Sequence, residues 1–296
     1  MATASNTISL ATKYARVLDE VVEASSKTGL LASPDDLKAE FVGAGTVKVP
    51  KISLAPLGNY SKTGGYPTGA VTYEFETFTL AYDRGRQFDI DNMDNEQTGG
   101  NVVPAVLSQF ARTQVVPEVD AIRIARFATG AGHVKELLSA PSHSTIKAEW
   151  NAMLEAIDEA GGDPAAGLVF VTPATMTALK DAFSRQFASE NDLDTRISML
   201  DGVRIVTVPS ARMKSAITVS DNGWTAHEDA VDVYMLYVDP SAVRMIAKHE
   251  NMRTFAPEVN QDADATRVQY RLYHDAVVYE NKADLIYCLR ADDGIS

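Results

Sequence analysis

The stretch Thr72–Asp94, TYEFETFTLAYDRGRQFDIDNMD, decides how this chain is read. Together with Val71 before it, apolar residues fall on odd positions at Val71, Tyr73 and Phe75, then on even positions at Phe78, Leu80 and Tyr82. Period two is strand patterning, and the change of phase near Thr77 predicts a β-bulge or a sharp twist. At roughly 3.3 Å per residue, a strand from Val71 to Tyr82 would run about 40 Å, longer than most strands of a compact domain. Residues 46–54, TVKVPKISL, change phase in the same way, from Val47 and Val49 to Ile52 and Leu54. Pro50 stands at that break, where an edge strand or bulge tolerates a missing N–H. The residues between, APLGNYSKTGGYPTGA, are turn chemistry, so 46–82 reads as one long β-hairpin with a broad, flexible tip. A two-stranded hairpin is marginally stable alone. Its apolar positions therefore need a covering surface, from the same chain or from a neighbour.

Composition narrows the classes. The chain has 296 residues, 45% of them hydrophobic, with a mean hydropathy of -0.12, which fits a soluble globular protein of one elaborate domain or two. No apolar run approaches the length of a membrane span, and the N-terminus lacks a basic segment followed by an apolar one, so neither a membrane nor a secretory signal is expected. The single cysteine, Cys288, excludes an internal disulfide framework and fits a reducing compartment. A net charge of -13 argues against a dedicated nucleic-acid-binding surface, though not against a protein that encloses nucleic acid.

Outside the hairpin the pattern divides into regions. Tyr14, Val17, Leu18, Val21 and Val22 follow helical spacing, with Gly29 placed to end the helix, and Ser33-Pro34 predicts a second short helix reaching Phe41. Residues 98–127 read as one long helix carrying Val103, Val106, Leu107 and Phe110 and then Val116, Val119 and Ile122, with Pro117 expected to kink it. From about 134 to 242, an amphipathic helix with Ile146, Trp150, Met153 and Ile157 alternates with strands at LVFVT (168–172), VRIVTV (203–208), AITVS (216–220) and VYMLYV (233–238), the mark of an α/β domain. Strand patterns return in RVQYRLYHDAVVY and DLIYCL.

Motifs of known chemistry are missing. The sequence has no G-x-S-x-G, H-E-x-x-H, C-x-x-C, Walker or dinucleotide glycine pattern, and its five histidines are dispersed, so no catalytic, cofactor-binding or metal-ligating set is assigned. Residues 260–271 begin like a calcium loop with Asn260, Asp262 and Asp264. Ala265 then replaces the turn glycine and Arg271 the closing glutamate, which leaves a solvated acidic turn. Asp89, Asp91 and Asp94 follow Arg84 and Arg86 closely. Such carboxylates can bind a metal or do acid–base work, but arginines so near favour ion pairing, local or between subunits.

In order, the chain presents a helical N-terminal arm, TVKVPKI (46–52), a glycine-rich tip, a long alternating strand, DRGRQFDIDNMD (83–94) and a helix containing RTQVVPEVDA (112–121). RLYHDAVVYENKADLIYCL (271–289) follows near the end. This series, covering nearly the whole chain, resembles the tailed-bacteriophage major capsid protein family. The resemblance implies an α+β fold of the Hong Kong phage type: an N-terminal arm at 1–45, an extended β-hairpin loop at 46–82, a peripheral domain at 83–139 and 243–296 with a spine helix at about 98–127, and an α/β axial domain at 140–242. In that family the extended loop lies over an adjacent subunit, which would supply the hairpin's missing cover. Residues expected at such contacts are Tyr60, Lys62, Tyr66, Tyr73, Phe75, Phe78, Leu80, Arg84, Arg86, Asp89 and Asp91.

The function implied is that of a non-enzymatic shell subunit, assembled in the host bacterial cytoplasm into hexamers and pentamers of an icosahedral or prolate virion head. Its partners would be further copies of itself, portal, scaffold or decoration proteins, and packaged double-stranded DNA held without sequence-specific binding. Some members carry a scaffolding segment before the arm, whereas this chain starts at the arm, so a separate scaffold or none is expected. Some cross-link a loop lysine to a neighbour's asparagine; Lys62 and Asn281 are the positions to consider, although a solvated tip lysine is the simpler reading. The alternatives are an encapsulin-like compartment shell and, from a different class, a metal-dependent hydrolase using Asp89, Asp91 and Asp94.

Overall fold

The computed structural model describes residues 26–31, 40–42, 46–63, 65–91, 102–183, 199–257, 260 and 264–294. The chain divides into two compact units, Pro34–Tyr82 and the remainder. The helix expected over 14–22 lies outside the described residues. So does most of the one expected to reach Phe41, and Phe41 itself is in a strand.

The smaller unit is a three-stranded antiparallel sheet of β1 (Glu40–Val42), β2 (Thr46–Leu54) and β3 (Val71–Thr79), in the order β1-β2-β3. The β2–β3 register runs without a shift from Thr46↔Thr79 to Leu54↔Val71, so the expected bulge is not there. Instead β3 stays regular, and its two apolar sets occupy opposite faces at different levels of the ladder. The phase change falls at the same level in both strands, where Pro50 stands opposite Phe75. Among the described residues the pairing with β1 runs from Thr46 to Lys48 and does not include Pro50, whose ring has no N–H to give to a second ladder. At Leu80-Ala81 the long run breaks, and Tyr82 opens a new strand. The tip carries a smaller turn closed by reciprocal backbone bonds between Ser61 and Gly65 (3.2 and 2.8 Å), and Gly65 takes the φ of 76° that this turn requires.

In the larger unit β4 (Tyr82–Asp91) leads to the spine helix. This is two α-helical segments, α1 (Val102–Phe110) and α2 (Val116–Thr129), joined by a π-helical turn at Ala111–Val115, in place of one kinked helix. The cause is Pro117. It cannot donate to the carbonyl four residues back and its ring crowds that carbonyl, so the backbone widens just before it, with the Val116 N–H reaching Ala111 O.

The next elements are β5 (His133–Leu137), α3 (Ile146–Glu159), β6 (Leu168–Val171), α4 (Pro173–Ala182), β7 (Met199–Leu200), β8 (Val203–Thr207), β9 (Ile217–Ser220), β10 (Gly223–Ala226) and β11 (Val233–Val238). The long strands β12 (Val243–Phe255) and β13 (Ala265–Val278) and a final β14 (Ile286–Ala291) complete the chain. A six-stranded mixed sheet has the order β5-β14-β11-β6-β8-β7, and a three-stranded sheet the order β12-β13-β4. The last strand lies inside the six-stranded sheet, parallel to β5, which belongs to the 83–139 stretch, and antiparallel to β11. Its run IYCL is apolar at every position, which suits only a strand covered on both faces.

That sheet is the centre of a three-layer sandwich. Leu168, Phe170, Leu236, Val238, Ile286 and Cys288 pack with Ile124, Phe127 and Ala128 of α2. The alternating residues Val169, Val171, Met235, Tyr237, Tyr287 and Leu289 pack with Ile146, Trp150, Met153 and Ile157 of α3 and Leu179 of α4. Thr172 caps α4, its side chain accepting from the Thr175 N–H. Spine residues Leu107, Ala111, Val115 and Val119 cover Val268, Tyr270 and Leu272 of β13. Because Phe127 is wholly buried between helix and sheet, Phe127→Ala is expected to lower unfolding free energy by about 3–5 kcal/mol. Urea denaturation of the two proteins checks this, and a loss below about 1 kcal/mol would mean that this layer is loosely packed.

Candidate functional site

The hairpin residues singled out from the sequence separate by exposure. Val71 (71%), Tyr73 (57%) and Phe75 (46%) stand out to solvent, whereas Phe78 is half-buried and Leu80 buried. Tyr73 and Phe75 meet edge to face with centroids 5.3 Å apart, forming one aromatic strip. At the tip Tyr60 and Tyr66 lie 5.0 Å apart, both exposed, with Leu57 and Lys62 also in solvent. Ten large apolar residues are exposed among the described residues, and six of them fall between Leu57 and Phe75. Scattered single exposures are ordinary; a cluster of this kind marks an interaction surface.

The charged residues after the hairpin make contacts within the chain. Arg84 makes a bidentate pair with Glu118 of α2, with Nη2 3.2 Å from Oε2, and also donates to the Ser220 carbonyl at 2.9 Å. Arg86 donates to the Asp221 carbonyl at 3.2 Å. These arginines thus hold the β9–β10 turn against β4. Asp89 pairs with Arg267 of β13 (2.7 Å), and Asp83 pairs with Arg271 (2.6 and 2.9 Å). Gln87 accepts from Gln269 between them (2.9 Å). The result is a cross-strand polar ladder on the exposed face of β4 and β13. Local pairing of Arg84 or Arg86 with Asp89 does not form. Alternate residues of β4 point to opposite faces, which separates the arginines at even positions from the aspartates at odd ones.

The hydrogen bond from Arg267 holds the Asp89 carboxyl below the usual carboxylate range. A carboxylate committed to a guanidinium is a poor start for a metal site. Asp94 lies outside the described residues. Among those described, the three acidic side chains close enough to share an ion are Glu136, Asp292 and Asp293, with Glu136 already paired to Arg290. The calcium-like turn is closed by Asn260, whose Nδ2 donates to Ala265 O at 2.9 Å; Asp262 lies outside the described residues. Lys62 and Asn281 are both exposed.

A cleft of about 360 Å³ opens among β4, the π-helical turn, β13 and the β9–β10 turn. Phe88, Phe110 and Tyr270 line it, and Arg84 and Arg86 stand beside them. His274, also in the lining, is 2% exposed, and burial, reinforced by Arg123 and Arg84, pushes its pKa down to about 4. The alternating run RLYHDAVVY carried a faint sign of this, since His274 shares its parity with the inward Leu272 and Ala276.

No family model matches the sequence, and no curated protein sequence matches it. Solved structures do. The mature capsid of bacteriophage PhiM1 is similar with a TM-score of 0.60 at 12% identity, covering 84% of this chain and 82% of that one. The capsid of cyanophage P-SCSP1u gives 0.58 at 15% identity, covering 88% and 90%. A virus-like particle from Pyrococcus furiosus gives 0.53 at 11% identity, covering 95% and 98%.

Two outcomes are expected of the buried charges. Arg84→Ala strands a mostly buried Glu118 and should cost about 1–3 kcal/mol, whereas Arg86→Ala removes one exposed contact and should cost under about 0.5 kcal/mol. Thermal melts of both variants check the ranking, and equal losses would contradict it. Neutral His274 contributes stability above the ordinary histidine pKa of 6.5, because below it the unfolded chain takes up a proton that the folded chain refuses down to about 4. Over that window the wild type should lose roughly 3 kcal/mol that His274→Gln does not lose. Urea midpoints of the two proteins between pH 7 and pH 4.5 test it, and parallel curves would refute it. By comparison with known folds, this chain has the fold of phage capsid structures, a mixed helix-and-sheet architecture matched over most of its length.

Proposed function

We propose that this chain is a major capsid protein, a structural subunit that self-assembles into hexamers and pentamers of an icosahedral or prolate head enclosing double-stranded DNA. The observation that carries the proposal is the apolar strip of Val71, Tyr73 and Phe75, with Tyr60 and Tyr66 at the tip, on a sheet unit of its own. A solitary enzyme has no use for it; a shell subunit that lays its loop on the next copy does. The capsid fold supports this reading.

In this proposal residues 1–45 form the arm and 46–82 the extended loop. The peripheral domain comprises 83–139 and 243–296, and the axial domain comprises 140–242. Of the residues expected at subunit contacts, Tyr60, Lys62, Tyr66, Tyr73 and Phe75 are exposed and remain assigned there. Leu80 is buried, and Arg84 and Asp89 have partners within the chain. The function is non-enzymatic and needs no cofactor. DNA is enclosed rather than recognised, since 40 acidic residues against 27 basic ones disfavour tight phosphate binding. Portal, scaffold or decoration proteins complete the assembly in the host bacterial cytoplasm.

Electron microscopy of the purified protein tests the proposal directly, with closed shells expected. Replacing Gly58–Gly69 by a short turn should leave a subunit with an unchanged melt, because both core layers of the sandwich lie in the other unit, yet abolish shells. Normal particles from that variant would remove the loop from assembly.

A further inference from the structure

Residues 26–31 join the larger unit through a socket instead of a sheet. Asp120 of α2 is fully buried, and its carboxylate accepts from Ser26 Oγ (2.8 Å), Thr28 Oγ1 (2.7 Å) and the backbone N–H groups of Lys27 (3.0 Å) and Thr28 (3.2 Å). Four donors thus come from one turn of chain. Arg123 Nη1 donates to Thr28 Oγ1 at 3.1 Å, and the turn closes on itself as the Gly29 N–H meets Ser26 Oγ at 3.0 Å. Leu31, at its end, is fully buried in the cluster that contains Ile124, Phe127 and Met213.

Two features make this turn separable from the body. Among the described residues it is a 3₁₀ turn with no strand pairing, attached through Asp120, Arg123 and the pocket for Leu31. The socket is also charge-balanced without it, because Arg212 Nη1 lies 3.3 Å from Asp120 Oδ2 and would stay there after the turn had left. Withdrawal would therefore not leave an uncompensated buried carboxylate, which is what usually welds such a segment in place. Segments held by a few local bonds open at lower free energy than the core.

We propose that the Asp120–Arg212 socket is a binding site for a hydroxyl-bearing peptide turn, Ser-Lys-Thr-Gly-Leu-Leu. In the subunit its own residues 26–31 occupy it, and they leave it without unfolding of the body. Recognition needs two hydroxyls two residues apart, two successive N–H donors and an apolar side chain three residues beyond the second hydroxyl. The same turn of a second copy meets these requirements, so the site can be filled in trans. The site stands independently of the shell reading; only its use to tether arms within an assembly rests on that reading.

Hydrogen exchange on the full-length chain, followed by mass spectrometry, tests the site without any shell. In Asp120→Asn, the Lys27 and Thr28 amides should exchange faster by on the order of tenfold or more, while α2, β11 and β14 keep their protection. Thr28→Val removes only the hydroxyl, adds no buried charge, and should give the same local effect should Asp120→Asn fail to fold. A labelled peptide of residues 24–33 should then bind the Thr28→Val chain, and not the chain that also carries Asp120→Asn. Unchanged protection in both variants, loss of protection spread equally through the sandwich, or no peptide binding to Thr28→Val would each overturn the proposal.

Discussion

The second segment of the spine helix is the constraint on which the larger unit depends. Nine of its fourteen residues are buried, so it is a core element facing protein on more than one side. Ile124, Phe127 and Ala128 seal the six-stranded sheet, while Val119 belongs to the cluster over β13. Apolar packing alone is non-directional. The helix is given a unique azimuth by charges that point in different directions along it: Glu118 to Arg84 on β4, Asp120 to the turn at 26–28 and to Arg212, and Arg126 bidentate to buried Asp275 on β13 (3.0 and 3.1 Å). Glu118, Asp120 and Asp275 each have a guanidinium, and a rotated helix would strand at least one of them in a medium where an unpaired charge is costly.

The same region fixes the two arginines of β4. Arg84 is spent on Glu118 and on a backbone carbonyl of the β9–β10 turn, and Arg86 on the next carbonyl of that turn. Arginine suits this task because its planar fork serves two acceptors at once. The opposite face of the same strand carries Asp83, Gln87 and Asp89, matched to Arg271, Gln269 and Arg267. One strand therefore performs two different polar tasks, separated only by parity.

The hairpin unit follows a different logic. Its strands are apolar on one face near the base and on the other face near the tip, and both strands change at the same rung. Val47 and Leu80 at the base are buried, whereas Tyr73 and Phe75 further out are exposed. Exposed aromatics on a regular strand have large contact area and little side-chain entropy to lose, properties that serve association better than monomer stability.

The sequence by itself determined the local elements: the hairpin with its paired phase changes, the helix from Ile146, the cap at Thr172, and the buried strands at 168–171 and 233–238. Each is set by period, turn chemistry or capping within a short window, so no distant residue is needed to read it. Tertiary structure alone decided where β14 inserts, since an all-apolar run states that both faces are covered but not by which neighbours. It also decided the partners of Arg84, Asp89 and Asp120, which lie 34, 178 and 92 residues away along the chain. Charge pairing has no periodicity to betray it, and a buried aspartate on a helix looks in sequence like an exposed one. Only the closing of the sandwich around α2 determines which charges must find one another.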